Sequence, residues 1–299
     1  MRRRSKVALG LATLALLSSL AFAAGQGSGG HEVAVVPLPP TDANTRFGGF
    51  SGIEVSPDGQ RFWAISDRGA LAEGKLLRNS AGRLTGVTVD SHQRLNDPDN
   101  IPTSGVETDS EGLARGPDGR LYVSFEGYHR IWTYRPEGGE AAWFPRHPDF
   151  KKMQANSSLE ALAIDQDGAL YTLPERSGSY GTPFPVYRYG NEGWQVIGHI
   201  PREGEWLPVG ADFDDRGQLY LLWRHFTGYG FSSRVTRHAL HGDDWSGETV
   251  YQTRPLTHGN LEGLSLWRNA SGTLKAVLVT DDNFRAIQRS ELVEITLPE

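Results

Sequence analysis

The stretch DSEGLARGPDGRLYVSFEG, residues 109–127, contains two short apolar segments separated by a Pro-Asp-Gly turn. The first segment opens at Glu111, the turn occupies residues 117–119, and the second segment alternates over residues 121–125 and ends on Glu126. This pattern predicts a β-hairpin. In an antiparallel hairpin, the first residue of one strand and the last residue of its partner lie at the same sheet edge. The sequence therefore predicts that Glu111 and Glu126 are neighbours.

The same order of apolar segment, turn and apolar segment recurs four more times, at residues 51–69, 159–176, 209–225 and 261–283. The equivalent positions of the five copies are spaced 60, 49, 49 and 53 residues apart and are Gly52, Gly112, Ala161, Gly210 and Gly263. A repeat of about fifty residues indicates a β-propeller.

Each of the first four hairpins is followed by two further segments with strand character, at residues 75–79 and 84–90, 129–135 and 140–144, 185–189 and 194–200, and 233–240 and 248–253. The fifth hairpin is followed only by residues 290–297, so the early strand at residues 31–38 is available to complete it. We therefore predict an all-β fold, a single propeller of five four-stranded blades closed by pairing of the N-terminal strand with the C-terminal blade. A sixth blade would need strands within residues 93–108, where prolines and asparagines favour a loop.

The N-terminus has the features of a secretory signal peptide. Four basic residues precede an apolar run at residues 7–21, and Ala21-Phe22-Ala23 fits a cleavage site. We expect residues 1–23 to be the signal peptide, residues 24–30 a flexible leader and residues 31–299 the propeller domain of a periplasmic or secreted protein. An uncleaved anchor is the alternative, although the run is short for a membrane span.

Composition narrows the classes of partner and chemistry. Loss of residues 1–23 removes four basic residues and changes the formal net charge from −6 to −10, which disfavours nucleic acid as a partner. The chain has no cysteine, so it has neither disulfides nor a thiolate nucleophile. We expect no membrane span after cleavage, and a monomer that acts on a small anionic or phosphorylated substrate.

The hairpin ends of the five repeats are predicted to meet at one mouth of the central channel. This predicted mouth contains Ser51, Asp67, Arg68, Asp109, Glu111, Glu126, Glu160, Glu175, Arg176, Arg224, His225, Glu262, Asp281, Asp282 and Asn283. Crowded carboxylates repel one another unless a cation neutralises them, and a hard ion such as Ca²⁺ prefers oxygen ligands. The alternative is that these acids satisfy backbone N–H groups of neighbouring blades. That alternative explains less well why the charges at the hairpin ends differ between repeats.

The chemical type of each residue at the predicted mouth indicates its role there. We predict Ca²⁺ ligands at Glu111, Glu160, Glu262, Asp281 and Asp282. Arginine forms bidentate contacts with phosphate, and histidine transfers protons near neutral pH, so the predicted catalytic residues are Arg68, Arg176, Arg224 and His225. The predicted substrate-binding residues are Asp67, Glu126, Glu175 and Asn283.

An ordered set of motifs resembles the phytase-like domain family, described as having esterase-like activity of phytase. The motifs are FGGFSGIEV (47–55), AISDRG (64–69), DSEGLA (109–114), SFEG (124–127), SLEALA (158–163), VTDDNF (279–284) and QRSEL (288–292). The resemblance implies an exported β-propeller related to calcium-dependent phosphomonoesterases that act on phytate. The family pattern usually has Glu before the arginine of the fourth hairpin, where this chain has Trp223. One candidate carboxylate is therefore missing, and we expect Asp212 to compensate for its loss.

Three functions remain open from the sequence. The first is a Ca²⁺-dependent phosphoester hydrolase with its site at the central mouth. The second is a calcium-dependent lactonase or carboxylesterase that uses the same mouth. The third is a non-catalytic propeller whose mouth binds a ligand or a protein.

Overall fold

The computed structural model describes residues 29–42, 44–45, 47–136, 138–153, 159–242, 245–285 and 287–299. The predicted signal peptide and nearly all of the predicted leader lie outside the described residues. The described residues form twenty strands in five antiparallel sheets of four strands each, which confirms the predicted all-β propeller of five blades. Among the described residues, no helix has both the length and the apolar character needed to cross a membrane.

Each blade runs from an inner to an outer strand. Blade 1 comprises β2 (Phe50–Val55), β3 (Arg61–Ser66), β4 (Ala70–Arg78) and β5 (Leu84–Arg94). Blade 2 comprises β6 (Ser110–Arg115), β7 (Leu121–Phe125), β8 (Arg130–Arg135) and β9 (Gly138–Trp143). Blade 3 comprises β10 (Leu159–Ile164), β11 (Leu170–Pro174), β12 (Phe184–Gly190) and β13 (Gly193–Ile200). Blade 4 comprises β14 (Leu207–Phe213), β15 (Leu219–Phe226), β16 (Phe231–His238) and β17 (Glu248–Gln252). Blade 5 comprises β18 (Asn260–Arg268), β19 (Leu274–Asp281), β20 (Glu291–Thr296) and the N-terminal strand β1 (His31–Pro37).

The ring closes as predicted. Strand β1 pairs antiparallel with β20, with Val35 opposite Val293, and so forms the outer edge of blade 5. The inner strands β2, β6, β10, β14 and β18 each contact the inner strands of the neighbouring blades, and β18 returns to β2. The sequence predicts a loop at residues 93–108, of which Gln93 and Arg94 are instead the end of β5. The rest contains an isolated bridge and a short 3₁₀ helix (Gly105–Glu107) and no strand of a sixth blade, so the loop is confirmed over residues 95–108.

The hydrophobic core is divided among the five blade interfaces. Each of five buried clusters combines side chains of two successive blades. Trp132 and Trp223 are almost completely buried in two of these clusters. Burial of such large apolar side chains between sheets holds the ring together without disulfides.

The predicted hairpin turns lie at the opposite pole from the mouth. Gly59 and Gly119 adopt positive φ angles of 67° and 83° and donate their N–H groups to the carbonyls of Ser56 and Gly116 at 2.7 and 2.8 Å. A residue with a Cβ is disfavoured in this left-handed conformation, which explains the Asp-Gly pairs of the repeat.

Every inner hairpin has a register shift near its mouth end. The shifts lie between Phe50 and Gly52, Ser110 and Leu113, Leu159 and Ala161, Pro208 and Gly210, and Leu261 and Gly263. A β-bulge re-aims the side chain of its extra residue. Ser51, Glu160, Val209 and Glu262, which lie within four of these shifts, line a narrow axial space of only about 10 Å³.

The inner strands approach one another too closely for most side chains. A Cβ at Gly112 would lie 2.5 Å from the carbonyl oxygen of Glu160, and one at Gly263 would lie 2.8 Å from the backbone nitrogen of Ile53. The repeated glycines therefore permit a tight ring, which places the acids next to them around one axis.

Candidate functional site

The most compact group of acids lies at the mouth end of blade 2. Asp109, Glu111 and Glu126 each offer a carboxylate oxygen, and the three oxygens lie within 4.8 Å of one another. The predicted proximity of Glu111 and Glu126 is therefore confirmed. Burial raises the pKa of Glu126 to about 8, with Asp109 as the next cause.

Acids from other blades complete the group across the axis. Burial raises the pKa of Glu111, and the charges of Glu160 and Glu262 raise it further. The pKa of Glu160 is raised by burial and then by Glu175, whereas Arg224 lowers it. The structure thus brings Glu111, Glu160 and Glu262 together, and their mutual repulsion disfavours full ionisation.

Arg224 joins three blades below the rim of the mouth. Its guanidinium donates to Glu175 Oε1 at 2.9 Å, to Asn260 Oδ1 at 3.3 Å and to Glu262. Asn260 Nδ2 in turn donates to Glu262 Oε1 at 2.7 Å. The predicted phosphate-binding Arg224 is therefore engaged by carboxylates of this chain, and its immediate effect is to neutralise them.

Asp281 and Asp282 differ in their surroundings although they are adjacent. Asp281 accepts the backbone N–H of Asn283 at 2.6 Å, and burial raises its pKa. Asp282 accepts hydrogen bonds from Gly49 N at 3.0 Å and Ser290 Oγ at 2.9 Å. It also accepts one from Thr41 Oγ1, and it is 1% exposed. Both oxygens of Asp282 thus anchor loops, which is the structural role that buried acids often have at strand ends.

Arg68 and Arg176 lie at the rim. The Arg68 Nε atom is 3.6 Å from Asp67 Oδ1, and its guanidinium stacks over the Phe284 ring at 4.9 Å. Arg176 Nε is 3.2 Å from Glu175 Oε2. Both arginine side chains are more than half exposed, so substrate can reach them.

Burial, Asp281 and Asp109 raise the pKa of Asp67 to about 7. Asn283 is exposed and donates through Nδ2 to Gln288 Oε1 at 3.1 Å.

His225 lies 3.3 Å from Glu205 Oε2, and its ring is 5.3 Å from that of Trp206. The catalytic role of His225 stays a prediction from the sequence.

The expectation for Asp212 is wrong. Asp212 lies at the far end of β14, where it accepts the Leu266 N–H at 2.6 Å, and it interacts electrostatically with Glu54 at the turn pole. Because β14 runs from the mouth to the turn pole, Asp212 and the mouth lie at opposite ends of the strand. It cannot replace the carboxylate missing beside Arg224.

Serines join the blades at the mouth end. Ser51 Oγ donates to the Ser110 carbonyl at 2.6 Å, and Ser124 Oγ donates to the Leu159 carbonyl at 2.5 Å. These buried contacts link blade 1 to blade 2 and blade 2 to blade 3. Ser51 therefore has a structural role in the ring.

The donor set fits a hard divalent cation. The residues Asp109, Glu111 and Glu126 supply only oxygen atoms, and Ca²⁺ and Mg²⁺ bind such ligands. Burial, and then the neighbouring acids, raise the pKa values of Glu111 and Glu126, and a bound cation would oppose both effects. The sequence placed Asp109 at the mouth but predicted no role for it. It did not identify Asn260 as a site residue. Each is a polar residue at the mouth end of an inner strand, and that position is the signal that could have identified both.

The fold and this acidic mouth define a five-bladed propeller with a polar site on its central axis. Within that class, the chain belongs to the Phytase-like family, described as esterase-like activity of phytase, whose profile matches residues 45–284. The resemblance found in the sequence is confirmed. No curated protein sequence matches the chain.

Solved structures share the propeller fold at low identity. An aldose sugar dehydrogenase from Streptomyces coelicolor is 15% identical with a TM-score of 0.47, and the match covers 91% of this chain and 99% of that one. The calcium-binding protein regucalcin from Agrobacterium tumefaciens is 13% identical with a TM-score of 0.48, covering 83% and 90%. A GH43 glycoside hydrolase is 15% identical with a TM-score of 0.51, covering 88% and 52%.

Proposed function

We propose that the protein is an exported, Ca²⁺-dependent hydrolase of phosphoesters whose site is the acidic mouth. The observation that supports this most strongly is the close group of Asp109, Glu111 and Glu126. These three residues, with Glu160 beside them, would hold the cation. The proposed ligand set omits Glu262 and Asp282, which the sequence predicted as ligands. Glu262 is paired with Arg224, and Asp282 accepts hydrogen bonds from loops.

The side chains around that group have distinct tasks. Arg68 and Arg176 are exposed at the rim and bind the phosphate oxygens of the substrate. Arg224 pairs with Glu175 and Glu262 and fixes their positions, which maintains the shape of the site. A bound divalent cation supplies Lewis acidity and lowers the pKa of a coordinated water.

The family description favours a second candidate, hydrolysis of a carboxylic ester or lactone at the same mouth. The acids and rim arginines would then orient a carbonyl substrate instead of a phosphate. A non-catalytic binding role for the mouth is the third candidate. The three candidates predict different outcomes with the same purified protein.

The test measures turnover and metal content together. Purified protein is assayed on p-nitrophenyl phosphate, phytate, p-nitrophenyl acetate and a lactone panel, each with Ca²⁺ or with EDTA. We expect Ca²⁺-dependent phosphate release, and loss of both activity and bound metal in Glu111→Gln. Glu140→Gln, an exposed acid on β9 of the same blade, is the matched control and should retain both.

Turnover confined to the acetate or the lactones would support the second candidate and contradict the first. Stabilisation by anions without turnover of any ester would support the binding role. Calcium-independent phosphate release would contradict the proposed use of the acids.

We further propose that the mature protein is periplasmic or secreted, and that it is a monomer. The basic and apolar pattern of residues 1–23 supports export. N-terminal sequencing of the exported protein should begin near residue 24. Sedimentation should give the mass of one chain.

A further inference from the structure

A second cavity opens beside the mouth on blade 3. It has a volume of about 820 Å³, within the range of small-molecule sites, and Pro174 and Arg176 both line it. Between them, Glu175 points to Arg224 in the mouth. Since Pro174 and Arg176 face the cavity while Glu175 between them faces the mouth, the end of β11 separates the cavity from the acids and belongs to both.

The cavity walls combine apolar surface with positive charge. Its apolar lining is Met153, Pro174, Pro183, Pro185, Tyr187 and Val196. Lys152 and Arg176 supply the positive charge. The lining contains one acid, Asp149, which lies 3.5 Å from Lys152, so two cations face one acid and the formal charge of the lining is positive. Unlike the mouth, this cavity therefore suits an anionic group attached to an apolar body.

The loop between β11 and β12 that forms one wall is braced from outside. The Arg202 guanidinium lies 5.0 Å from the centre of the Tyr180 ring and 5.4 Å from that of Phe184, and its Nη1 is 3.5 Å from Ser177 Oγ. Within the loop, Ser179 Oγ contacts Thr182 Oγ1 at 2.9 Å. These contacts shape the wall before any ligand binds, which lowers the entropic cost of binding.

We propose that this cavity binds the alcohol portion of the substrate, and that the preferred substrates are phosphoesters of aromatic alcohols carrying a carboxylate. This inference rests on the proposed function of the mouth and specifies its substrate class. The ester phosphate would lie at the mouth side of Arg176, and the aromatic body would contact Tyr187 and the proline walls. The carboxylate would lie near Lys152.

The first test measures binding without any reaction. Calorimetric titration with 2-naphthoate, which contains no ester, should show binding to the wild type, and 2-naphthylmethanol should bind at least about tenfold more weakly because an ion pair is lost. Val196→Trp fills the cavity and should weaken 2-naphthoate binding at least about tenfold by steric exclusion. Val35→Trp on β1 is the matched control, since both valines are about 40% exposed on outer strands, and it should bind normally.

The second test measures specificity. Val196→Trp should lower kcat/KM for 6-carboxy-2-naphthyl phosphate at least about tenfold and leave methyl phosphate unchanged, because only the former reaches the cavity. Unaltered 2-naphthoate binding in Val196→Trp, or equal loss on both esters, would overturn the inference. If the wild type hydrolyses no ester, the proposed function is refuted. If 2-naphthoate binding nevertheless persists in Glu111→Gln, the assignment of the cavity as a binding site stands.

Discussion

Glu262 should make the protein less stable as the pH rises towards neutrality. Burial, opposed by Arg224 and reinforced by Asp281, raises the pKa of Glu262 from 4.5 to about 7 in the folded chain. Between these values the folded state retains a proton that the unfolded state has released. The free energy of unfolding therefore falls across this interval.

The magnitude follows from the width of that interval. A window of about 2.5 pH units at about 1.4 kcal/mol per unit sets a limit of about 3.5 kcal/mol. Because titration is only partial near each end of that window, about 3 kcal/mol of stability is lost between pH 4.5 and pH 7.5. The Glu262 side chain is only 12% exposed, so solvent screens this contribution little. Glu262→Gln cannot titrate and should remove that part of the pH dependence.

The measurement is urea unfolding at pH 4.5 and pH 7.5 in EDTA. The decrease in unfolding free energy between the two pH values should be about 3 kcal/mol smaller in Glu262→Gln than in the wild type. Glu248→Gln on β17, whose side chain is 65% exposed, should behave like the wild type. Parallel pH profiles for the wild type and Glu262→Gln would refute the account of the mouth as an electrostatically crowded site.

Three further changes test the rest of the site. Arg224→Met should destabilise the protein by about 3–5 kcal/mol in urea unfolding at pH 7.5, because it leaves buried acids without their cation. The loss of stability should be smaller at pH 4.5, and equal losses at both pH values would contradict this reasoning. Ca²⁺ should raise the Tm of the wild type in a thermal scan but not that of Glu111→Gln, and an equal rise in both would exclude Glu111 as a ligand. Gly112→Ala should lower the Tm because the new Cβ would clash with the Glu160 carbonyl. Gly181→Ala, with open space around it, should have little effect on the Tm. Similar Tm values for the two variants would argue against close packing of the inner strands.

The fold was largely predictable because its determinants are local. The alternation of apolar residues, the Asp-Gly turns and the fifty-residue spacing define each hairpin, and the missing fourth strand of the last repeat indicates that residues 31–38 close the ring. The pairing of β1 with β20 confirms that reasoning. Strand boundaries differed from the prediction by only a few residues for most outer strands.

The site was less predictable because it depends on how the blades meet. Neither the pairing of Arg224 with Glu175 on the neighbouring blade nor the loop contacts of Asp282 follow from spacing along the chain. Asp212 was misplaced because its motif position does not reveal which end of β14 it occupies. The residue directly before the small residue of an inner strand is the position that does identify axial side chains, and it is an acid in Glu160-Ala161 and Glu262-Gly263.

Closure by β1 also affects how the protein is made. A chain synthesised from its N-terminus must keep residues 31–37 unpaired until residues 291–296 have emerged, since β1 and β20 are hydrogen-bonding partners. The pairing closes a loop of more than 250 residues, so this contact is slow to form compared with the local hairpins. Until then β1 lacks its partner strand β20 and β19 has an open edge, and both edges are exposed to proteases and to other nascent chains.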